Sequence, residues 1–290
     1  MVFFIIYSDM EGSFDIGKIN RILIPTNKNP LMQKSIEYIT SIFPEATYFT
    51  IGVVDISGES VLLYTSYSSD YLDVMESLEK EAIDEALDLL KKRGVKIGDS
   101  CIAKGFPSKT ILSYSKKYNV NLIVLTTSSK VGTEEFRLGS TAKRIIEKSK
   151  IPTLLVTPIS KTNPIKSIFN PSSGSKYSFR ASMLSISFAK HFNASVKMLH
   201  FGKIKEKSLI ETLKNYANSM NIKFEIEEYE GENLLKRILE ESENFDIMIA
   251  SRGRRGFSYK FRYFSPELAL GKLEKEVIEL SKIPIMLINE

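Results

Sequence analysis

A fifteen-residue segment occurs twice in the chain, each time reading as a helix that runs into a strand. The first copy is Leu138-Gly139 through Lys143, Ile146-Glu147 and Ser149-Lys150-Ile151-Pro152, with an apolar run to Val156. The second is Leu270-Gly271 through Lys275, Ile278-Glu279 and Ser281-Lys282-Ile283-Pro284, with a run to Ile288. Each copy closes one half of a 290-residue chain, so a duplicated unit accounts for the repeat better than one large domain. Halves of that length can each bury a core. The repeat also bears on chemistry, because a glycine opening a helix leaves main-chain N–H groups bare for an anion.

Strand and helix signals alternate along the first half. Ile22-Leu23-Ile24 predicts a short buried strand ended by Pro25-Thr26-Asn27, and Ile36, Ile39, Ile42 and Phe43 give Leu31 to Phe43 helical spacing. Thr47 to Val54 reads as a second strand. Tyr71 to Arg93 is a long amphipathic helix (Leu72, Met75, Leu78, Ala82, Ala86, Leu89) with Gly94 in the left-handed stop position. A strand over Val95 to Ala103, a helix over Ser108 to Tyr118 and a strand over Asn121 to Leu125 precede the repeated helix and Thr153-Val156. The second half predicts strands at Ser167-Asn170, Ser195-His200, Lys223-Tyr229, Asp246-Ala250 and Ile285-Ile288. Its helices fall near Lys176-His191, Lys207-Met220, Glu232-Glu241 and Glu267-Leu280.

Nearly continuous apolar strands alternating with helices mean a parallel sheet covered on both faces. Right-handed crossovers make it doubly wound, with a ligand crevice at the carboxyl ends of the strands where the winding reverses. Pro158-Ile159-Ser160-Lys161-Thr162-Asn163-Pro164 has linker composition. The expected units are therefore an extension over residues 1–20, a first domain over 21–158 and a second over 165–290. Ile56 to Asp70 has no counterpart in the second half.

Hydrophobic content of 43% with 26% charged residues describes a folded soluble chain and not a disordered one. The apolar start, Met1 to Tyr7, is too short to span a bilayer and lacks the basic flank of a signal peptide. Its β-branched and aromatic residues favour an extra edge strand. No later segment reads as a membrane helix. Cys101 is the single cysteine, which excludes an internal disulfide and makes the cytoplasm the expected location. It reads as an inert core thiol. His191 and His200 stand apart from any cluster of ligating residues, so no protein-built metal site is expected.

Pro25-Thr26-Asn27 after the first strand and Lys104-Gly105-Phe106-Pro107 after the third belong to an ordered set of motifs. Leu138-Gly139-Ser140 follows the fourth strand, and Ile151-Pro152-Thr153-Leu154-Leu155-Val156 closes the set. In this order and spacing the chain resembles the universal stress protein family, in a tandem form covering nearly its whole length. The resemblance implies two tandem doubly wound five-stranded parallel sheets of the adenine-nucleotide alpha-hydrolase-like class, strand order 3-2-1-4-5. It further implies an adenine nucleotide, ATP or AMP, with phosphates at the loop into the last helix, and Mg²⁺ only in company with those phosphates. Family dimers pair through the last strand, which here would join the two halves of one chain. A homodimer and an unidentified protein partner are also expected.

Nucleotide-binding members carry Gly-x-x-Gly, nine residues, then Gly-Ser or Gly-Thr. Counting back from Gly139-Ser140 puts Thr126 and Ser129 at the two earlier glycines. The resemblance then places Pro25, Thr26 and Asn27 on the base side and Val53 and Leu125 along base and ribose. Thr126, Ser128, Ser129, Gly139, Ser140 and Thr141 fall around the phosphates. Lys130 adds positive charge there, while Glu134 and Glu135 in the same loop oppose an anion. Asn27 stands where the family favours an acid. In the second half Ser172, Ala250, Arg252, Gly253 and Gly271 are the corresponding candidates, with Ala250 and Gly253 at the two glycine positions. Seventeen residues separate Gly253 from Gly271, and Lys272 replaces the hydroxyl residue, so this half departs further from the pattern.

Two readings of Gly139-Ser140 stand side by side: an anion site, and a small residue with a capping serine. The excess between Gly253 and Gly271 gathers Arg254, Arg255, Lys260 and Arg262 with Phe257, Tyr259, Phe261, Tyr263 and Phe264. It could clamp phosphates or stack on bases, or it could pack on a neighbouring domain. Nucleic-acid contact ranks last, since no other surface offers a basic stripe. The chain lacks a Gly-x-x-x-x-Gly-Lys-Ser/Thr loop, a Gly-x-Ser-x-Gly elbow and a Ser-Gly-Gly-x-Asp-Ser loop. The function expected is therefore non-catalytic nucleotide binding in a stress or regulatory role, with slow ATP hydrolysis as the upper limit. The alternative is a nucleotide-independent scaffold that dimerises or binds a partner.

Overall fold

The computed structural model describes residues 19–27, 31–56, 70–129, 136–157, 160, 164–174, 176–252 and 272–288. The expected N-terminal strand, the excursion after Ile56, Lys130, Glu134, Glu135, Gly253, Gly271 and the basic-aromatic segment lie outside them.

The first half runs β1 (Arg21–Pro25), α1 (Met32–Ile42), β2 (Thr47–Asp55), α2 (Asp70–Lys92), β3 (Lys96–Gly105), α3 (Pro107–Lys117) and β4 (Leu122–Thr126). A short pair, β5 (Ser128–Ser129) with β6 (Phe136–Arg137), leads into α4 (Ser140–Lys148) and β7 (Thr153–Val156). The second half runs β8 (Ser167–Ser172), α5 (Lys176–Phe192), β9 (Ser195–Phe201), α6 (Lys207–Ser219) and β10 (Phe224–Tyr229). It ends with α7 (Leu234–Ser242), β11 (Ile247–Ser251), α8 (Lys272–Leu280) and β12 (Ile285–Ile288).

Local chemistry explains the boundaries. Pro107 opens α3, where its missing N–H costs nothing. After α2, Gly94 takes φ +69° and its N–H returns to the Lys91 carbonyl at 2.9 Å, the left-handed stop that a β-carbon would strain. At the end of α1, the buried Tyr48 hydroxyl reaches from β2 to the Phe43 carbonyl at 2.8 Å and ties the helix to the sheet.

The ten main strands form one sheet in the order β10-β9-β8-β11-β12-β7-β4-β1-β2-β3. Each half is parallel throughout with its strands in the order 3-2-1-4-5, and β7 pairs antiparallel with β12 through Leu154–Met286 and its neighbours. The last strands of the two copies thus meet inside one molecule. One departure from the sequence expectation follows. Separate cores were expected, but each face of the sheet carries a single apolar layer running through both halves. Ile36, Leu90, Phe188 and Leu213 belong to one layer, under α1, α2, α5 and α6. Ile111, Ile145, Ile238 and Ile278 belong to the other, under α3, α4, α7 and α8. The β7–β12 pairing leaves no sheet edge between the copies, so the side-chain layers continue across the join. No helix among the described residues is long and apolar enough to cross a membrane.

Candidate functional site

In the first half the winding reverses between β1 and β4, which pair directly. Pro25 closes β1 opposite Ile51, and the Thr26 N–H bonds the Ile51 carbonyl at 2.9 Å before the chain leaves the sheet at the exposed Asn27. Val53 and the buried Leu125 belong to the apolar layer under α3 and α4. Thr126 ends β4 opposite Val156. Two hydroxyls lack hydrogen-bond partners at these strand ends: Thr26, 6% exposed, and Thr127, fully buried. A buried polar group left unpaired costs about 1–3 kcal/mol. The adjacent ends of β1 and β4 therefore each carry a buried hydroxyl.

The chain then forms the β5–β6 pair, with Ser129 opposite Phe136, so the motif serines sit on a small hairpin that the sequence did not signal. Gly139 follows at the N-cap of α4 with φ −59° and ψ 152°. Glycine brings no side chain to cap the helix, its first turn carries no acid, and the Gly139 carbonyl accepts the Lys143 N–H at 2.9 Å. A β-carbon built on Gly139 would meet nothing within 4 Å. Ser140 is exposed and Thr141 half-buried. The opening amides of a helix have no partner within the helix itself.

Ladder hydrogen bonds give the equivalence between halves independently of motif counting. Asn121 N–H bonds the Arg21 carbonyl as Asp246 N–H bonds that of Ser167, and Thr127 N–H bonds Val156 as Arg252 N–H bonds Ile288. Thr126 therefore matches Ser251, Thr127 matches Arg252, and Ala250 matches Leu125. This corrects the sequence alignment by one residue: Ser251, not Ala250, stands at the first glycine position. The β1–β2 and β8–β9 registers likewise set Phe201 at the place of Val53 and Asn170 at that of Ile24.

Two second-half candidates, Arg252 and Ser172, are engaged elsewhere. The Arg252 guanidinium donates to the Ile146 carbonyl at 3.0 Å and to the Glu147 carbonyl, fastening the end of β11 to the last turn of α4. Ser172 is buried and accepts the Gly174 N–H at 3.3 Å. Buried Asn170 donates to the Ile249 carbonyl at 2.8 Å and accepts the Ser182 hydroxyl at 2.6 Å. Bulk at Phe201 and these fixed contacts separate the second crevice from the first.

Sequence reasoning missed Thr127 and Glu79. Glu79 projects from α2 over Gly52, whose absent β-carbon would lie 2.8 Å from Oε2. Burial pushes its carboxyl pKa up, partly offset by a hydrogen bond from the Val53 N–H, and Oε2 has no partner. The signal was available: an acid four residues from Met75 and from Ile83 stands where the helical period calls for an apolar side chain.

A family model described as the universal stress protein family matches residues 18–157. Universal stress protein MJ0531 of Methanocaldococcus jannaschii is 32% identical over 142 residues, covering 47% of this chain and 81% of the relative. The chain belongs to the universal stress protein family. A universal stress protein of Archaeoglobus fulgidus DSM 4304 superposes with TM-score 0.75 at 17% identity, covering 94% of this chain and 99% of that one. A putative universal stress protein of Pseudomonas aeruginosa UCBPP-PA14 gives TM-score 0.62 at 13% identity, covering 94% of each. Both matches run through the two halves and show the tandem stress-protein fold. Within that fold, the last helix of the first copy starts at the exposed Gly139-Ser140, and Arg252, at the place of Thr127, ties the end of β11 to that helix.

Proposed function

We propose that this stress protein binds an adenine nucleotide in the first-half crevice and acts as a regulatory, non-catalytic component. The observation that carries the reading is the start of α4 at the exposed Gly139-Ser140, where the N-cap glycine makes no side-chain cap and leaves room beyond its α-carbon. A phosphate there would accept from the opening amides and gain from the helix dipole. The buried hydroxyls of Thr26 and Thr127, at the ends of β1 and β4, have no hydrogen-bond partner among the described residues. Asn27 would meet the base side, Val53 and Leu125 the base and ribose, and Thr126, Ser128, Ser129, Ser140 and Thr141 the phosphates. A Mg²⁺ ion would be carried by those phosphates. None of these groups is a poised base or nucleophile, so binding and not turnover is the proposed role. An altered surface would follow from different affinities of the nucleotide for two states of the protein.

Calorimetric titration with ATP and with AMP, paired with melting curves, tests the reading. Saturable binding and a raised melting temperature are the expected results. No heat and an unchanged melting curve at millimolar nucleotide would overturn it in favour of a nucleotide-independent scaffold.

A further inference from the structure

Charge is divided across the sheet of the first half. On one face, the sequence of α2 holds eight acids against three lysines. On the other, α3 and α4 pack side by side over one apolar layer and hold six cationic residues against a single acid, Glu147. The net charge of +5 therefore covers two helical faces of opposite sign. Sequence order conceals the basic one, because β4 and the β5–β6 pair intervene between its two helices. Helical period then sets the exposed side chains in rows. Phe106, Lys109, Ser113 and Lys116 are exposed at intervals of three, four and three residues, one stripe along α3 with Lys117 adjoining it. On α4, Arg144 and Lys148 are exposed one turn apart, with Lys143 beside them. Eleven residues give α3 a length of about 16 Å, and packed helices lie about 8–10 Å apart, which sets the size of the basic face.

The second copy has no such surface. Its α7 and α8 hold five acids against four cations. There Arg237 pairs with Glu227 at 2.6 Å and with Glu241 at 2.9 Å, and Lys236 lies 3.6 Å from Glu240. In the first copy Glu147 is half-buried. The exposed Asp99 of β3 lies near Lys117 and accepts the Tyr114 hydroxyl at 3.2 Å, so it offsets one cation of the six. Charge alone would attract any polyanion, and the ring at the head of the stripe narrows the choice. Phe106 is 48% exposed and is the one aromatic among the exposed large apolar side chains of the described residues. Lys109 Nζ sits 5.1 Å from its ring centroid, and Lys117 Nζ sits 4.8 Å from that of Tyr118. A ring left in water among cations suits an unpaired base, which stacks while the cations hold the phosphates. A duplex keeps its bases covered. A lipid surface would call for several exposed apolar side chains, where this stripe has Phe106 alone.

We propose that the α3–α4 face of the first half binds single-stranded nucleic acid, with phosphates along the cations and a base on Phe106. This surface is separate from the nucleotide crevice, and its role does not depend on nucleotide binding there. Fluorescein-labelled decauridylate and decathymidylate are the probes, titrated against the full chain by fluorescence anisotropy over a salt series. Both bind, since phosphate and base are common to them. Six cations meeting phosphates give a slope of about −4 in log affinity against log salt. The exposed triple Lys109→Glu, Lys116→Glu and Arg144→Glu is compared with Lys92→Glu, Lys190→Glu and Lys214→Glu, exposed lysines on helices of the opposite face. The two variants have the same net charge, and the first binds at least about tenfold more weakly than the second. Phe106→Ala weakens binding at least about fivefold and leaves the salt slope unchanged. If the first triple variant misfolds, the exposed Phe106 decides alone. Equal losses in the two triple variants overturn the proposal. So does an affinity indifferent to salt or to Phe106→Ala, or a duplex held as tightly as the single strand. Capture of phosphatidylserine vesicles without binding of either oligonucleotide overturns it in favour of a lipid surface.

Discussion

Replacing Gly139 by Asp tests the phosphate position in both directions at once. The backbone at Gly139, with φ −59° and ψ 152°, suits any residue, and the space beyond its α-carbon is open. An aspartate there would cap α4, which makes no side-chain cap of its own. The better cap is worth a few tenths of a kcal/mol over glycine, and a negative charge at a helix start adds about 0.3–1 kcal/mol. The free protein should therefore gain about 1 kcal/mol, read from urea unfolding without nucleotide. Binding should move the other way. The new carboxylate takes the amides that a phosphate would use and repels it. At 4 Å that repulsion is about 1 kcal/mol per charge pair in water and about 4 kcal/mol near a protein surface. Since 1.4 kcal/mol is tenfold, the ATP dissociation constant should rise at least about tenfold. Gly139→Asn is the control, because it caps without charge and should keep the gain in stability with a smaller loss of affinity. Unchanged ATP affinity in the Asp variant would refute the phosphate assignment. A loss of stability would show that the helix end is already engaged.

Arg252→Ala removes the donor to the last carbonyls of α4. Hydrogen bonds from a charged group contribute about 1.5–3 kcal/mol, so a loss of about 2 kcal/mol is expected in the nucleotide-free protein. With a urea slope of about 2 kcal/mol per molar, that moves the midpoint by about 1 M; an unmoved midpoint would contradict the fastening role. Thr127→Val deletes a buried hydroxyl that has no partner. It should stabilise the free protein by about 1 kcal/mol and weaken nucleotide binding, and a destabilised free protein would count against that account. Glu79 has its folded pKa raised, chiefly by burial. Its neutral form suits the folded state, so the burial penalty is absent below the ordinary carboxylate range and grows as pH rises through the folded value. Glu79→Gln should consequently stabilise the protein at pH 7 relative to wild type, with the difference shrinking toward pH 4 in urea titrations. A difference independent of pH would show that the carboxyl is not buried as described.

The order of elements was legible because it rests on local period. Ile36, Ile39 and Ile42 mark α1, Gly94 stops α2 with the backbone expected of it, and right-handed crossovers restrict the strand order. The exposed Gly139-Ser140 start of α4 was also readable, since a glycine before an amphipathic helix is a one-dimensional signal. The register of the second crevice was not. Counting glycines drifts with loop length, whereas Arg252 N–H on the Ile288 carbonyl does not. Nor was the role of the Arg252 side chain readable, because an arginine after a strand suggests an anion until the distant carbonyls of α4 are seen beside it. The shared apolar layers escaped for the same reason. They depend on β7 meeting β12, a contact between segments that period treats as two independent ends.

That meeting of β7 with β12 has an evolutionary corollary. In an assembly of two identical molecules every substitution appears on both sides, and dilution can part the partners. Here the partners share one covalent backbone, so their ratio is fixed and they stay together at any concentration. A change on one side is never copied to the other. The two copies accordingly differ at equivalent positions, with a buried threonine, Thr127, in one and the Arg252 clasp in the other.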